Sequence, residues 1–563
     1  MRFKLLILLL GAAVNGNISY TDGPFSEKVS KISDLIRGKH EDVLKTLDVN
    51  EGKIDSLLQE LPEIKYDRIN HMGDSLYEVN EKSNVEDKLF QSDIVLTETQ
   101  AQVVINDINE QLGGSNRTKR QALADRNGVQ LWKDGVNYYF SPSIDSKTKR
   151  AFMMGADMWQ KYSCINFKHN PYAKDRVKVV YEEGCWSSLG KTGGEQKISL
   201  GEGCGVGPIV AHEIGHTIGF WHTMARYDRD QFITLNLGNI KESWRSQFAK
   251  QTPRTNDNFN LTYDYGSIMH YGGRSAGIDR RIPTMVPFNT DYQETLGSHF
   301  MSFIDLEMIN ELYGCKKNCA GKRKAQCKMG GFPNPKDCSK CVCPGGYAGD
   351  LCTERPDEGC GRKIDATEEW QTLTDVLGDY SVRQPLEDFK KCHYWIESPT
   401  GTEIIVEIVS LKGHQAVDGC VFTGVEIKTN KNQQLTGFRF CAYQTAGTRL
   451  RSFTNRVPIM TWNKVFRSET VLRFRHVPAT NPRQPQPFSR TVQPSPSRVV
   501  QPSPRPTTRS PWSARTPSST APTRTRITCS KRVDSRCLSF IKMGFCTDPR
   551  MLHYCPRECR IDC

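Results

Sequence analysis

Residues 212–222 read His-Glu-Ile-Gly-His-Thr-Ile-Gly-Phe-Trp-His, three histidines and a glutamate at spacings that suit a metal ion. His212 and His216 stand four apart, so on a helix both imidazoles leave one face and reach one ion. Glu213 falls on the adjoining edge, where it can move a proton beside the metal without being a ligand. Gly219 lets the helix stop in a left-handed turn, and the returning chain delivers His222 as the third nitrogen. Three neutral ligands leave one position open to water, which separates a catalytic zinc from a closed structural one. The implied chemistry is hydrolysis, with zinc acidifying water and Glu213 relaying its proton, without a covalent intermediate on the protein.

The elements that must position these groups follow from the flanking sequence. Pro208 is tolerated in a first helical turn, so a helix is predicted over Pro208 to Phe220. Downstream, Ser267-Ile268-Met269-His270-Tyr271 offers Met269 as an apolar floor under the metal. Together with Arg226-Tyr227-Asp228-Arg229-Asp230, Gly184-Cys185-Trp186-Ser187 and Leu312-Tyr313-Gly314-Cys315, these motifs make residues 121–315 resemble the astacin family of metzincin zinc proteases.

That resemblance implies an α+β catalytic domain, an N-terminal twisted sheet with the active-site helix and an irregular C-terminal lobe. It implies bridges Cys164–Cys315 and Cys185–Cys204, one Zn2+ on His212, His216 and His222, and Glu213 as the catalytic base. Tyr271 becomes the phenol that ligates zinc at rest and swings to the oxyanion during peptide-bond cleavage. It also implies a latent form blocked by an aspartate. Phe90-Gln91-Ser92-Asp93-Ile94 is the nearest match to that motif, making Asp93 the candidate latent-state zinc ligand, with Ser92 where the family has glycine. Met72-Gly73-Asp74 is the alternative. A matrixin-type cysteine latch is excluded, since no cysteine precedes Cys164. The family's glutamate after the third histidine, an anchor for the mature N-terminus, is Thr223 here.

With 563 residues, the chain is too long for one core. Residues 1–16, basic then apolar then small, read as a signal peptide. Residues 17–120 form a cysteine-free propeptide with helical apolar spacing at Val29, Ile32, Leu35 and Ile36. It ends in Arg117-Thr118-Lys119-Arg120, a site for a proprotein convertase cutting after Arg120. Twenty cysteines in groups of four, six, four and six fit an oxidising compartment. Residues 316–353 are too short for a core and resemble an EGF-like module. Residues 360–477 alternate β-rich runs with turns, and Cys360, Cys392, Cys420 and Cys441 resemble the two bridges of a β-sandwich CUB domain. Thr423 stands where calcium-binding CUB domains carry aspartate. Residues 478–528 are a Pro/Ser/Thr/Arg linker, and residues 529–563 resemble a disulfide-rich ShKT module without the Lys-Tyr pair of channel blockers.

The net charge is +13, but the linker holds eight arginines and no acidic residue, so no nucleic-acid partner is expected. No later stretch predicts a membrane span. Sequons at Asn17, Asn116 and Asn260 suit the secretory route. The arrangement is similar to that of nematode astacins, which implies secretion to the extracellular space and matrix substrates: collagen, cuticle or eggshell proteins. Arg274, Arg280 and Arg281 are candidates to read an acidic side chain beside the cut.

Overall fold

The computed structural model describes residues 34–36, 38–39, 51–111 and 130–480. The expected signal peptide, the Asn17 and Asn116 sequons, the Arg117–Arg120 site, most of the linker and the six cysteines from Cys529 lie outside the described residues.

The block around the histidines is built on a six-stranded sheet. Its strands are β1 (Ile94–Val95), β2 (Val136–Phe140), β3 (Phe167–His169), β4 (Arg176–Val180), β5 (Cys185–Ser188) and β6 (Glu195–Leu200), in the order β1-β5-β6-β4-β2-β3. All neighbours are parallel except β5 and β6. Strand β4 shows why it lies here: Val177 and Val179 face the core while Arg176 and Lys178 stay half-buried, the two-residue period of a one-sided strand. Strand β1 comes from the N-terminal segment, so that segment supplies an edge of the sheet.

Two helices cover the sheet. The first, Ser146–Gln160, is capped by Asp145, whose carboxylate accepts the Thr148 N–H at 2.7 Å, and it buries Phe152, Ala156 and Trp159. The second, Gly207–Thr217, carries the zinc motif and is buried on every side. The two approach closely because Gly155 has no side chain; a Cβ there would lie 2.8 Å from the Ala211 nitrogen. The motif helix ends at Thr217, three residues before the predicted Phe220. Gly219, at φ 107°, closes it: Gly219 N–H donates to His216 and Phe220 N–H to Gly215, each at 2.9 Å.

From Gly219 to Cys315 the chain is mostly irregular, with one short strand pair (Ile233–Leu235 with Met285–Pro287), a single helical turn at Glu242–Arg245 and a longer helix at Phe303–Leu312. Disulfides Cys164–Cys315 and Cys185–Cys204 tie this block together, in the pairing the resemblance implied. Cys319–Cys338, Cys327–Cys341 and Cys343–Cys352 then staple a small two-stranded unit. Beyond Cys360 a five-stranded and a four-stranded sheet form a sandwich over a core that includes Val406, Ile408, Val425, Ile427 and Leu472, with bridges Cys360–Cys392 and Cys420–Cys441.

The sandwich rests on the irregular lobe through buried polar contacts. Asp264 accepts the Thr436 hydroxyl at 3.1 Å, and Glu294 accepts the Ala442 N–H at 2.8 Å and the Cys441 N–H at 3.2 Å. The Tyr292 and Phe438 rings pack at a tilt of 42°, with centroids 4.3 Å apart.

Candidate metal centre

The helix and the turn after Gly219 bring three imidazoles to one point. His212 Nε2 lies 3.2 Å from His216 Nε2 and 3.2 Å from His222 Nε2. Each ring is fixed through its other nitrogen. The Nδ1–H groups donate to the Ile268 carbonyl (2.7 Å), the Phe220 carbonyl (2.8 Å) and the Gln91 side-chain oxygen (2.9 Å), for His212, His216 and His222 in turn. This tautomer leaves every Nε2 lone pair aimed at the common point. Burial depresses the His212 and His222 pKa values, the latter to about 3, so both rings are neutral donors.

Asp93 closes the cluster. Its Oδ2 is 3.2 Å from His212 Nε2 and 3.1 Å from His222 Nε2, and its Oδ1 is 3.4 Å from His216 Nε2. A tetrahedral zinc with bonds of about 2.0–2.1 Å separates its ligand atoms by about 3.3–3.4 Å. The three nitrogens and the carboxylate match that spacing, and all four residues are buried. Neutral imidazoles and one carboxylate are zinc ligands by type, so the site fits the ion.

Asp93 is placed by edge pairing and by strain. Ile94 and Val95 pair in parallel with Ser187 and Ser188, and the Ser187 N–H donates to the Asp93 carbonyl at 2.9 Å. Gln91 and Ser92 both adopt left-handed backbone, φ 50° and 80°. Ser92 therefore takes the conformation for which the family uses glycine, at about 1–2 kcal/mol per residue. Asn80 bridges the segment to β5, donating to the carbonyls of Ser92 (3.0 Å) and Cys185 (2.7 Å) and accepting the Cys185 N–H (2.7 Å). Asp74, the alternative candidate, accepts the Ile69 and Asn70 N–H groups, each at 2.8 Å, and is not among the metal-facing groups.

Tyr271 donates its hydroxyl to Asp93 Oδ2 at 2.7 Å and lies 2.8 Å from the Gln91 carbonyl. Burial and the adjacent Asp93 charge raise its pKa well above the ordinary phenol value, so it stays a donor. Glu213 is wholly buried with neither carboxylate oxygen hydrogen-bonded. Burial, then the charge of Asp93, pushes its carboxyl well above the usual range. Met269 lies under the histidines against Gly215, where a Cβ would sit 2.4 Å from the Met269 sulfur.

Thr223 holds the turn after the third histidine in another way. Its hydroxyl donates to Ser267 at 2.8 Å, Ser267 donates to Asp305 at 2.6 Å, and Asp305 also accepts the Ile268 N–H at 2.9 Å. This chain locks the His222 turn to the Met269 turn. Of the three arginines, Arg274 is half-buried and bonded to Asp418 of the sandwich at 2.9 Å. Arg280 pairs with Glu78 and Glu81 of the N-terminal segment, and Arg281 pairs with Asp279. Gln91, Asn80 and Gly215 carried no signal in the sequence reading, because each acts through a long-range contact rather than a local motif.

Comparison with known proteins agrees with this chemistry. The profile "Astacin (Peptidase family M12A)" matches residues 124–314. Zinc metalloproteinase nas-31 of Caenorhabditis elegans is 41% identical over 413 residues, 73% of this chain and 67% of that protein. Zinc metalloproteinase nas-32 of the same worm is 36% identical over 408 residues, 71% of this chain and 60% of that protein. Zinc metalloproteinase nas-23, also from C. elegans, is 31% identical over 502 residues, 86% of this chain and 89% of that protein. Identity sustained over these lengths, with a profile that stops one residue short of Cys315, makes this chain a zinc metalloproteinase of the astacin family.

Proposed function

We propose that the chain is a secreted zymogen whose mature form is an endopeptidase with one zinc held by His212, His216 and His222. The observation that carries this reading is Asp93, seated against all three Nε2 atoms and the Tyr271 hydroxyl. Zinc, when bound, supplies a Lewis acid that acidifies water and polarises a carbonyl.

The chain's own groups supply the rest. Glu213, dry and unpaired, takes the proton of the attacking water and returns it to the leaving amine. Tyr271 turns its hydroxyl from Asp93 to the carbonyl oxygen as negative charge develops there. The ring tautomers fixed by Ile268 and Phe220 hold His212 and His216 in place. The Gln91 bond to His222 is lost when the segment departs, which leaves the Thr223–Ser267–Asp305 chain to position that ligand. Asp93 fills the space that water and the carbonyl need, so the uncut chain is latent. A proprotein convertase cutting after Arg120 removes residues 17–120.

The remaining parts direct the enzyme. Residues 316–353 act as an EGF-like module, 360–477 as a CUB domain, 478–528 as a solvated linker and 529–563 as a ShKT module. The pairing of the six cysteines in 319–352 and the two-sheet sandwich support the first two assignments. Among the described residues no helix is long and apolar enough to cross a membrane. The substrates are extracellular matrix proteins such as collagen, cuticle or eggshell proteins. The test is to cut the purified full chain after Arg120 and profile a peptide library with and without a zinc chelator. Chelator-sensitive cleavage that appears only after the cut is expected, and Glu213→Gln should keep its zinc yet lose cleavage. Chelator-insensitive cleavage, or a fully active Glu213→Gln, overturns the reading.

A further inference from the structure

The N-terminal segment does more than cover the metal. Before it reaches Asp93, residues 64–69 lie across the β-sandwich. Asp67 clamps the backbone of Ala416 at two points: its N–H donates to the Ala416 carbonyl at 2.9 Å, and its carboxylate accepts the Ala416 N–H at 3.0 Å. Ile64 is buried with Ala416 and Ala442, and Tyr66 packs against them. The Tyr66 ring also lies under the Arg274 guanidinium, 3.1 Å from carbon to ring centroid, while Asp418 of the sandwich steadies that guanidinium. Ile69 packs on a hollow of Val417, Val421, Phe422 and Val465.

Blocking a metal asks for none of this. The plug is Asp93, 24 residues further along the chain, and it has its own anchors at β5, Asn80 and Tyr271. The contacts at 64–69 form an ordered peptide seat: a cation face for an aromatic ring, an unsatisfied backbone pair for an acidic residue, and an apolar hollow two residues beyond. All three features belong to the part of the chain that remains after the segment leaves, and all three are then bared together.

We propose that this face of the sandwich, with Arg274 at its rim, is an exosite of the mature enzyme. It binds an extended stretch of substrate with an aromatic residue, an acidic residue directly after it and an aliphatic residue two positions further. The propeptide occupies the exosite in the latent chain by presenting Tyr66, Asp67 and Ile69, and so competes with substrate at a place remote from the metal. The proposal rests on removal of residues 17–120 during maturation.

The test uses the full chain after processing and a fluorescein-labelled peptide of residues 62–71. Anisotropy should show saturable binding that a peptide hydroxamate saturating the metal site does not displace. The peptide with Tyr66→Ala and Asp67→Ala should bind about tenfold or more weakly, since a desolvated cation–π contact and a charge-assisted hydrogen bond are both lost. Turnover of a short quenched peptide should be unaffected by saturating 62–71. That turnover also reads maturation by itself, so an inactive processed chain counts against the zymogen reading and not against the exosite. No saturable binding, displacement by the hydroxamate, or equal binding of the double-alanine peptide overturns the exosite.

Discussion

If Asp93 is the lock of the zymogen proposed above, replacing it by alanine in a chain that cannot be processed should raise that chain's activity. Asp93 is wholly buried, receives the Tyr271 hydroxyl at 2.7 Å and faces His212 and His222 at 3.2 and 3.1 Å. Removing one member of a buried, hydrogen-bonded charged cluster costs about 3–5 kcal/mol. With a tenfold change for about every 1.4 kcal/mol, the uncovered form should rise about 10²- to 4 × 10³-fold. The loss falls on the plug alone, because Asn80, the Gln91 backbone and the contacts at 64–69 stay in place. The assay compares hydrolysis of a quenched peptide by two uncut chains, each with Arg117, Lys119 and Arg120 changed to alanine, one also carrying Asp93→Ala. A chelator blank separates background cleavage, and a processed Asp93→Ala chain checks that the mature enzyme is intact. If the processed variant is fully active while its uncut form is no more active than the uncut parent, Asp93 is not the lock.

Other outcomes follow from the same contacts. Tyr271→Phe should lower kcat about 10²–10³-fold in the processed enzyme, the scale of one lost oxyanion donor, with KM little changed; a wild-type kcat refutes that role. Gly215→Ala should destabilise the fold by about 1–3 kcal/mol, because the new methyl meets the buried Met269 sulfur, and a urea melt reads it. Glu294, in the seam with the sandwich, has its pKa raised by burial from 4.5 to about 7. A carboxyl raised in the folded state stabilises fully below its unfolded pKa and loses that contribution as pH rises through the folded value. The seam should therefore weaken by about 3 kcal/mol between pH 4.5 and above 7, and Glu294→Gln should flatten the change in denaturation midpoint over that window; an unchanged slope refutes it.

The convergence of His212, His216 and His222 was legible because an i, i+4 pair and a glycine stop are local geometry. The two bridges of the protease block were legible through family resemblance, since spacing alone leaves cysteine pairing open. Asp93 stood out by its motif even with Ser92 in the glycine place, since the left-handed backbone there is bought by pairing along β5. The arginines show the opposite case. Nothing near Arg274 in the chain foretells Asp418, which comes from a separate sheet domain, or Tyr66, which comes from the N-terminal segment. Arg280 is likewise neutralised by Glu78 and Glu81, residues far upstream. The role of Thr223 was hidden for the same reason, since Ser267 and Asp305 reach it only after the irregular lobe has folded.

The Cys164–Cys315 bridge closes a ring that contains every metal-facing histidine, Glu213 and Tyr271, whereas no cysteine precedes Cys164. An endopeptidase at high local concentration meets its own surface loops as substrates. A single nick anywhere between these two cysteines leaves both halves joined and the histidine cluster held by the same neighbours. A cut before Cys164 leaves its fragment held by non-covalent contacts alone. The covalent map thus sorts proteolytic events by position: inside the ring the pieces stay joined by a bond, and upstream of it packing alone decides whether they part.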